Sequence, residues 1–227
     1  MRYLLCLFIA CFSIVVSAQD LPVQKFTTRN GLSNSIVYRI TQTRDGFLWF
    51  STDDGLMRYD GSDFTSYSTK DGLQSSFIFG TLETDSSLLV SSYGAGVVNF
   101  LPDTCYRISS DNDELKYPID LFRNKAGLWS IDRNGIVYRF GGNRFKRFLV
   151  PGMEKCIASK LLETSSGDLF LATGGYLCRY VAGNKLEKLS IPGLPVNVMF
   201  NALLELKDHT ILSLPCFAQV MNISPVV

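Results

Sequence analysis

One phrase of about 41 residues recurs along the chain, and it limits the fold more than any other feature of the sequence. Trp49, Leu89, Trp129, Phe170 and Leu212 each stand at the centre of a short apolar run, at intervals of 40, 40, 41 and 42 residues. A second marker keeps step: Leu32, Leu73, Leu115, Met153 and Leu194 recur at intervals of 41, 42, 38 and 41. Repeats of roughly 20 to 50 residues build solenoids, arrays or propellers, because one unit cannot bury its apolar face without a neighbour. The repeat therefore describes a scaffold before it describes any chemistry.

The first unit reads as four short strands. Ile36 to Thr43 is followed by a tight turn at Arg44-Asp45-Gly46, Phe47 to Thr52 by a turn at Asp53-Asp54-Gly55, and Leu56 to Tyr59 by a turn at Gly61-Ser62 before the more polar Asp63 to Tyr67. Short alternating strands with turn residues at every boundary make an antiparallel meander. The expected fold class is all-β: a β-propeller of four-stranded antiparallel blades, about five of them, in an incomplete ring. The expected blades cover residues 35–73, 74–114, 115–153, 154–194 and 195–227. The fifth has three strands, at Leu203 to Glu205, Thr210 to Leu212 and Phe217 to Val220. Val23 to Thr27 precede Gly31-Leu32 as Ser66 to Thr69 precede Gly72-Leu73, so this segment reads as a displaced outer strand. Two arrangements follow, a five-bladed ring closed by residues 23–27 or the front part of a longer protein. The abrupt end at Pro225-Val226-Val227 favours the second.

Residues 1–18 differ from the rest. Arg2 precedes an apolar run from Leu4 to Val16, which ends in Val16-Ser17-Ala18. This is the anatomy of a secretory signal peptide cut after Ala18, and it predicts a periplasmic or secreted protein. A lipoprotein reading through Cys11 fits less well, because the apolar run before it is very short. Beyond residue 18 the chain has 21 basic and 21 acidic residues and no run of like charge, which argues against nucleic acid as a partner. No later apolar run reaches the ~20 residues of a membrane helix. Cys105, Cys156, Cys178 and Cys216 allow three disulfide pairings, but a core this size does not require them. Their spacings match no metal site, so they read mainly as small buried apolar residues.

Little of the sequence points to catalysis. His209, the one histidine, lies at a hairpin turn with no companion nucleophile or ligand set in view. Trp49 and Trp129 could stack on sugars, yet Leu and Phe serve the same repeat position, which makes them packing residues. In a meander, the turn between strands two and three and the link into the next blade share one end. That face is expected to gather Asn34, Ser35, Asp53, Asp54, Ser75, Ser76, Tyr93, Tyr117, Arg133, Asn134 and Tyr176, a mixture suited to a polar ligand. No cofactor or metal is expected.

The run Asp45-Gly46-Phe47-Leu48-Trp49-Phe50-Ser51-Thr52-Asp53-Asp54-Gly55-Leu56-Met57-Arg58-Tyr59-Asp60 resembles the two-component regulator propeller repeat, D-G-x-L-W-x-x-T-x-x-G-L-x-R-Y-D. Asn30-Gly31-Leu32-Ser33-Asn34-Ser35 is similar to the usual opening of the sensor region in hybrid two-component systems. The resemblance implies a periplasmic sensor propeller, non-catalytic, which recognises a polar small molecule or oligosaccharide, or contacts a second copy or downstream domains of its own regulator. Kinase and response modules would lie elsewhere. Gly46 to Phe50 also resembles blades of streptogramin lyases, which implies a rival, enzymatic reading that would need a catalytic histidine and a metal.

Overall fold

A computed structural model describes residues 24–101, 104–124, 127–148, 158–173, 176–181, 185–189, 200–215 and 221–223. Residues 1–18, where a signal peptide is expected, Val23, Met153, Leu194, Cys156 and Cys216 lie outside these residues. The described elements are nineteen strands and three single 3-10 turns. The first sheet holds β1 (Val37–Gln42), β2 (Leu48–Thr52), β3 (Gly55–Tyr59) and β4 (Phe64–Tyr67). The second holds β5 (Ile78–Glu83), β6 (Leu88–Ser92), β7 (Gly96–Leu101) and β8 (Thr104–Ile108). The third holds β9 (Pro118–Asn124), β10 (Gly127–Asp132), β11 (Val137–Gly141) and β12 (Arg144–Arg147). The fourth holds β13 (Ala158–Glu163), β14 (Leu169–Thr173), β15 (Tyr176–Val181) and β16 (Lys185–Leu189), and the fifth β17 (Phe200–Glu205), β18 (Ile211–Pro215) and β19 (Met221–Ile223).

Every sheet is an antiparallel meander in chain order. The first strands line the centre, with β1 beside β5, β5 beside β9 and β13 beside β17. The result is an arc of propeller blades rather than a closed ring. The fifth sheet has three described strands, as the repeat predicts, but its third is Met221–Ile223. The expected strand at Phe217 to Val220 falls outside the described residues.

The repeat residues carry the packing between sheets. Trp49, Leu56 and Leu73 meet Ile78, Leu88, Val90, Val98 and Phe100 between the first and second sheets. Leu89, Val97 and Leu115 meet Leu121, Leu128, Tyr138 and Phe145 at the next interface. Trp129, Ile131 and Val137 then face Leu169, Leu171 and Cys178. The second strand of each of the first four sheets is buried on both faces: Leu89 closes one interface while Val90 closes the one before it. Cys178 is buried, and Cys105 is a half-buried free thiol. Burial alone pushes the Cys105 thiol up from its ordinary value.

Of the outer strand expected at Val23 to Thr27, residues 24–27 are described and lie in no strand, and Val23 is outside the described residues. The placement of the described segment nonetheless follows the repeat. The Phe26 and Tyr59 ring centroids are 5.0 Å apart, matching the 5.0 Å between Tyr67 and Phe100 one blade later. Both segments end in a 3-10 turn with a capping box, through Thr27 and Ser68 respectively.

Two apolar side chains mark uncovered faces. Ile40, paired with Phe50, is 56% exposed, whereas Thr81 and Leu121 at the same repeat position are each 1% exposed. At the other end of the arc Leu204 is 55% exposed.

Polar contacts add order to the stack. Glu83 accepts hydrogen bonds from the Arg44 backbone N–H at 3.1 Å, across the first interface. Glu205 repeats this grip at the fourth interface, on the Ser165 N–H at 2.6 Å. A contact of another kind crosses the centre. Arg39 reaches over Gly80 to the Asp120 carboxylate at 2.5 Å, and Lys160 approaches its other oxygen at 2.9 Å. Gly80 makes room for this, since a Cβ there would lie 3.2 Å from the Arg39 side chain. One buried carboxylate thus joins the first, third and fourth sheets.

Two substitutions test this account. Gly55 has φ +100°, and a Cβ there would meet the Tyr67 carbonyl oxygen at 2.3 Å. Gly55→Ala should cost about 2–4 kcal/mol through strain and displacement of β4. Asp120→Asn should cost about 1–3 kcal/mol, because two cations lose their counter-charge while keeping part of their solvation. Urea unfolding followed by far-ultraviolet circular dichroism measures both.

Candidate functional site

An irregularity shared by all five sheets shapes the loop-bearing end of the arc. The pairing of each first strand with its neighbour slips by one residue, at Tyr38, Phe79, Ile119, Ser159 and Asn201. These β-bulges recur at intervals of 41, 40, 40 and 42 residues. A bulge re-aims the side chain it carries. In the first two sheets that side chain is aromatic.

The outcome is a row of rings across three blades. Tyr38 packs on Phe79 with centroids 4.7 Å apart, Phe79 on Tyr93 at 5.6 Å, and Tyr93 on Tyr117 at 4.7 Å. Phe77 lies beside Tyr93 at 6.3 Å. Tyr38 and Phe77 are 43% and 46% exposed, so the row offers ring surface to solvent. Charge closes both ends. Tyr38 donates its hydroxyl to Asp53 at 2.5 Å. At the far end the Arg133 guanidinium lies 4.6 Å from the Tyr117 ring and donates to the Tyr93 hydroxyl at 2.6 Å. The Arg133 backbone N–H also donates to the Tyr117 carbonyl at 2.9 Å, which fixes the turn that carries it. The bond to Asp53 is the main reason that the Tyr38 phenol is raised above its ordinary value, with burial and the carboxylate charge adding to it.

The structure joins Tyr93, Tyr117 and Arg133 directly, and Asp53 through Tyr38. The other expected residues stand apart from the row. Asn34 accepts the Ile36 N–H at 2.8 Å, and Ser75 does the same for the Phe77 N–H at 3.2 Å, so both side chains serve to turn the chain. Ser76 contributes its carbonyl to the Gly55 N–H at 2.7 Å. Ser35 and Asp54 are exposed. Asn134 is held by Asp132, which accepts its backbone N–H at 2.8 Å. Tyr176 lies on the fourth blade with the Lys188 ammonium 4.0 Å from its ring.

Tyr38, Phe77 and Phe79 escaped the sequence reading because they fall at the start of expected strands rather than in loops. The repeat contained the signal: Ile36, Phe77 and Tyr117 are separated by 41 and 40 residues, and Tyr38 and Phe79 by 41.

The residues around His209 do not form a nucleophile relay. The His209 Nδ1 contacts Glu205 at 2.9 Å and Ser165 at 3.2 Å, so both partners meet one ring nitrogen. A Ser-His-acid relay uses opposite nitrogens for the two. Among the described residues no three His, Cys, Asp or Glu side chains are grouped to hold a metal ion.

Comparison with known proteins places the fold. Residues 31–54 match the family model described as two component regulator propeller. That segment resembles a two-component regulator propeller repeat. No curated protein matches the sequence. Among solved structures, this propeller resembles an extracellular domain described as that of hybrid two component system BT3049 from B. thetaiotaomicron, at 15% identity and TM-score 0.55 over 88% of this chain and 35% of that one. The extracellular domain of BT4673 from the same organism matches at 20% identity and TM-score 0.66 over 82% and 27%. An inactive virginiamycin B lyase from Staphylococcus aureus, solved with quinupristin, matches at 14% identity and TM-score 0.70 over 91% and 75%. The propeller thus spans about a third of the two extracellular domains. At these identities the likeness is one of fold.

The Tyr38–Asp53 bond has a pH signature. A raised phenol pKa means that its stabilising contribution is complete below the ordinary tyrosine range near 10 and is lost as pH rises through the higher, folded value. Asp53→Asn should bring the phenol back toward its ordinary range. Carbon-13 NMR titration of labelled tyrosine measures this shift.

Proposed function

We propose that this chain is the sensing propeller of the exported region of a two-component regulator, and that it acts by binding a polar ligand such as an oligosaccharide. The row from Asp53 through the aromatic rings to Arg133 carries the reading. Exposed ring faces suit the apolar faces of sugar rings, and the charges at either end suit hydroxyl or acidic groups along an extended ligand. Export to the periplasm or beyond is supported by the character of residues 1–18 and by the extracellular domains among the structural relatives. A non-catalytic role is supported by the arrangement at His209, where a lyase would need its histidine and a metal.

A second reading is an interaction scaffold. The exposed Ile40 and Leu204 at the two ends of the arc support the packing of further blades, a second copy or other domains of the same regulator.

Calorimetric titration of the entire exported region with glycan fragments tests the first reading. At least one fragment should bind, with affinity reduced about tenfold or more by Tyr38→Ala or Arg133→Ala. Uniform absence of binding by folded protein, or binding unaffected by both substitutions, would overturn it.

A further inference from the structure

At the end of the blades opposite the aromatic row, each tryptophan lies at the base of a cleft between two sheets. The cleft between the first and second sheets has a volume of about 300 Å³, and that between the third and fourth about 220 Å³. Matching repeat positions build them. Arg58 is the cross-strand partner of Trp49, as Arg139 is of Trp129. Glu83 and Glu163 line the same side of their respective clefts.

One position differs: Phe47 in the first sheet corresponds to Gly127 in the third. Its effect is visible in the arginines. The Arg139 guanidinium lies 5.3 Å from the Trp129 ring centroid and covers it, whereas Arg58 is drawn onto Phe47, 4.5 Å from that ring. Phe47 therefore holds the first cleft open. Around it, Trp49, Tyr67 and Phe100 form an aromatic cluster with centroids 5.0 to 5.8 Å apart.

The electrostatics of the first cleft are unbalanced at one atom. The Arg58 Nε is buried and has no hydrogen-bond partner, and no described carboxylate lies within ion-pair distance of the guanidinium. The acids on the rim are already engaged. Glu83 and Asp85 face Arg44 at 3.5 and 2.9 Å, and Asp45 accepts the Thr43 hydroxyl at 2.5 Å. A half-buried guanidinium with a free donor in an aromatic cleft calls for an anionic acceptor on a flat apolar body. The volume falls at the lower end of the ~300–1,000 Å³ usual for small-molecule sites.

We propose that this cleft binds a small aryl carboxylate, its carboxylate on Arg58 and its ring against the cluster of Trp49, Tyr67 and Phe100. The site is separate from the aromatic row and does not depend on the function assigned to that row.

The chain has two tryptophans, so Trp129→Phe leaves Trp49 as the sole reporter. Its fluorescence is titrated with phenylacetate, with phenylacetamide and with sodium phosphate in parallel. Phenylacetate should give a saturable change, with the neutral amide at least about tenfold weaker and phosphate silent. Arg58→Gln should weaken phenylacetate about tenfold, and Phe47→Gly should weaken it too by letting the guanidinium settle on Trp49. Equal responses to acid and amide, a response to phosphate alone, no response, or undiminished binding in folded Arg58→Gln protein would each overturn the proposal. The comparison of acid with amide needs no change in the cleft, so it decides the matter even where a cleft variant fails to fold.

Discussion

Face-to-face burial between successive sheets is the interaction on which everything else in this molecule depends. A four-stranded meander has two broad faces, and here the second strand of each of the first four blades buries bulky apolar residues on both. Trp49 packs toward the second sheet while Phe50 packs the other way with Leu32, Met57 and Tyr59. Neither face survives alone in water, since each large apolar side chain left exposed forfeits about 1.5–3 kcal/mol. Leu32, Leu73 and Leu115, which precede the first three blades, are buried within the same layers, which explains why two markers of the sequence keep one beat. The glutamates that grip neighbouring turns, Glu83 and Glu205, refine the stacking, but the apolar layers drive it.

The end of the arc that bears the aromatic row follows from a defect in that regular pattern. Each first strand carries one extra residue near its start, so its side-chain parity inverts before the strand enters the centre. Val37 and Ile40 consequently share a side, and Tyr38 is released toward the loops. The same slip releases Phe79. A propeller without these bulges would bury or scatter the aromatic groups that the arc now sets in line between Asp53 and Arg133. Turn residues such as Asn34 and Ser75 contribute by fixing the path of the chain into each bulge.

Much of the fold was legible in the sequence because it depends on local, periodic features. Trp49, Leu89, Trp129 and Phe170 could be read as packing residues from spacing alone, and their burial agrees. The candidate site was only half legible. Tyr93, Tyr117 and Arg133 announce themselves as loop residues on a shared face, whereas Tyr38 and Phe79 look like ordinary strand positions until the extra residue is seen. Strict alternation cannot reveal an inserted residue, because the slip shows only in the pairing with the neighbouring strand. Nor could it pair Arg39 with Asp120, which are 81 residues apart and meet only because Gly80 leaves a passage between them.

The carboxylate of Asp120 has a consequence for how the arc comes apart. In a linear array each unit feels only its immediate neighbours, so interfaces open one by one from an end, like a zip. A bond that skips a blade breaks that rule. With Arg39 and Lys160 both anchored on Asp120, the second sheet cannot swing away from the first or third without stretching a link that belongs to neither of its own interfaces. The first four blades therefore behave as a laced frame, in which a displacement along one edge is carried to an edge that it never touches.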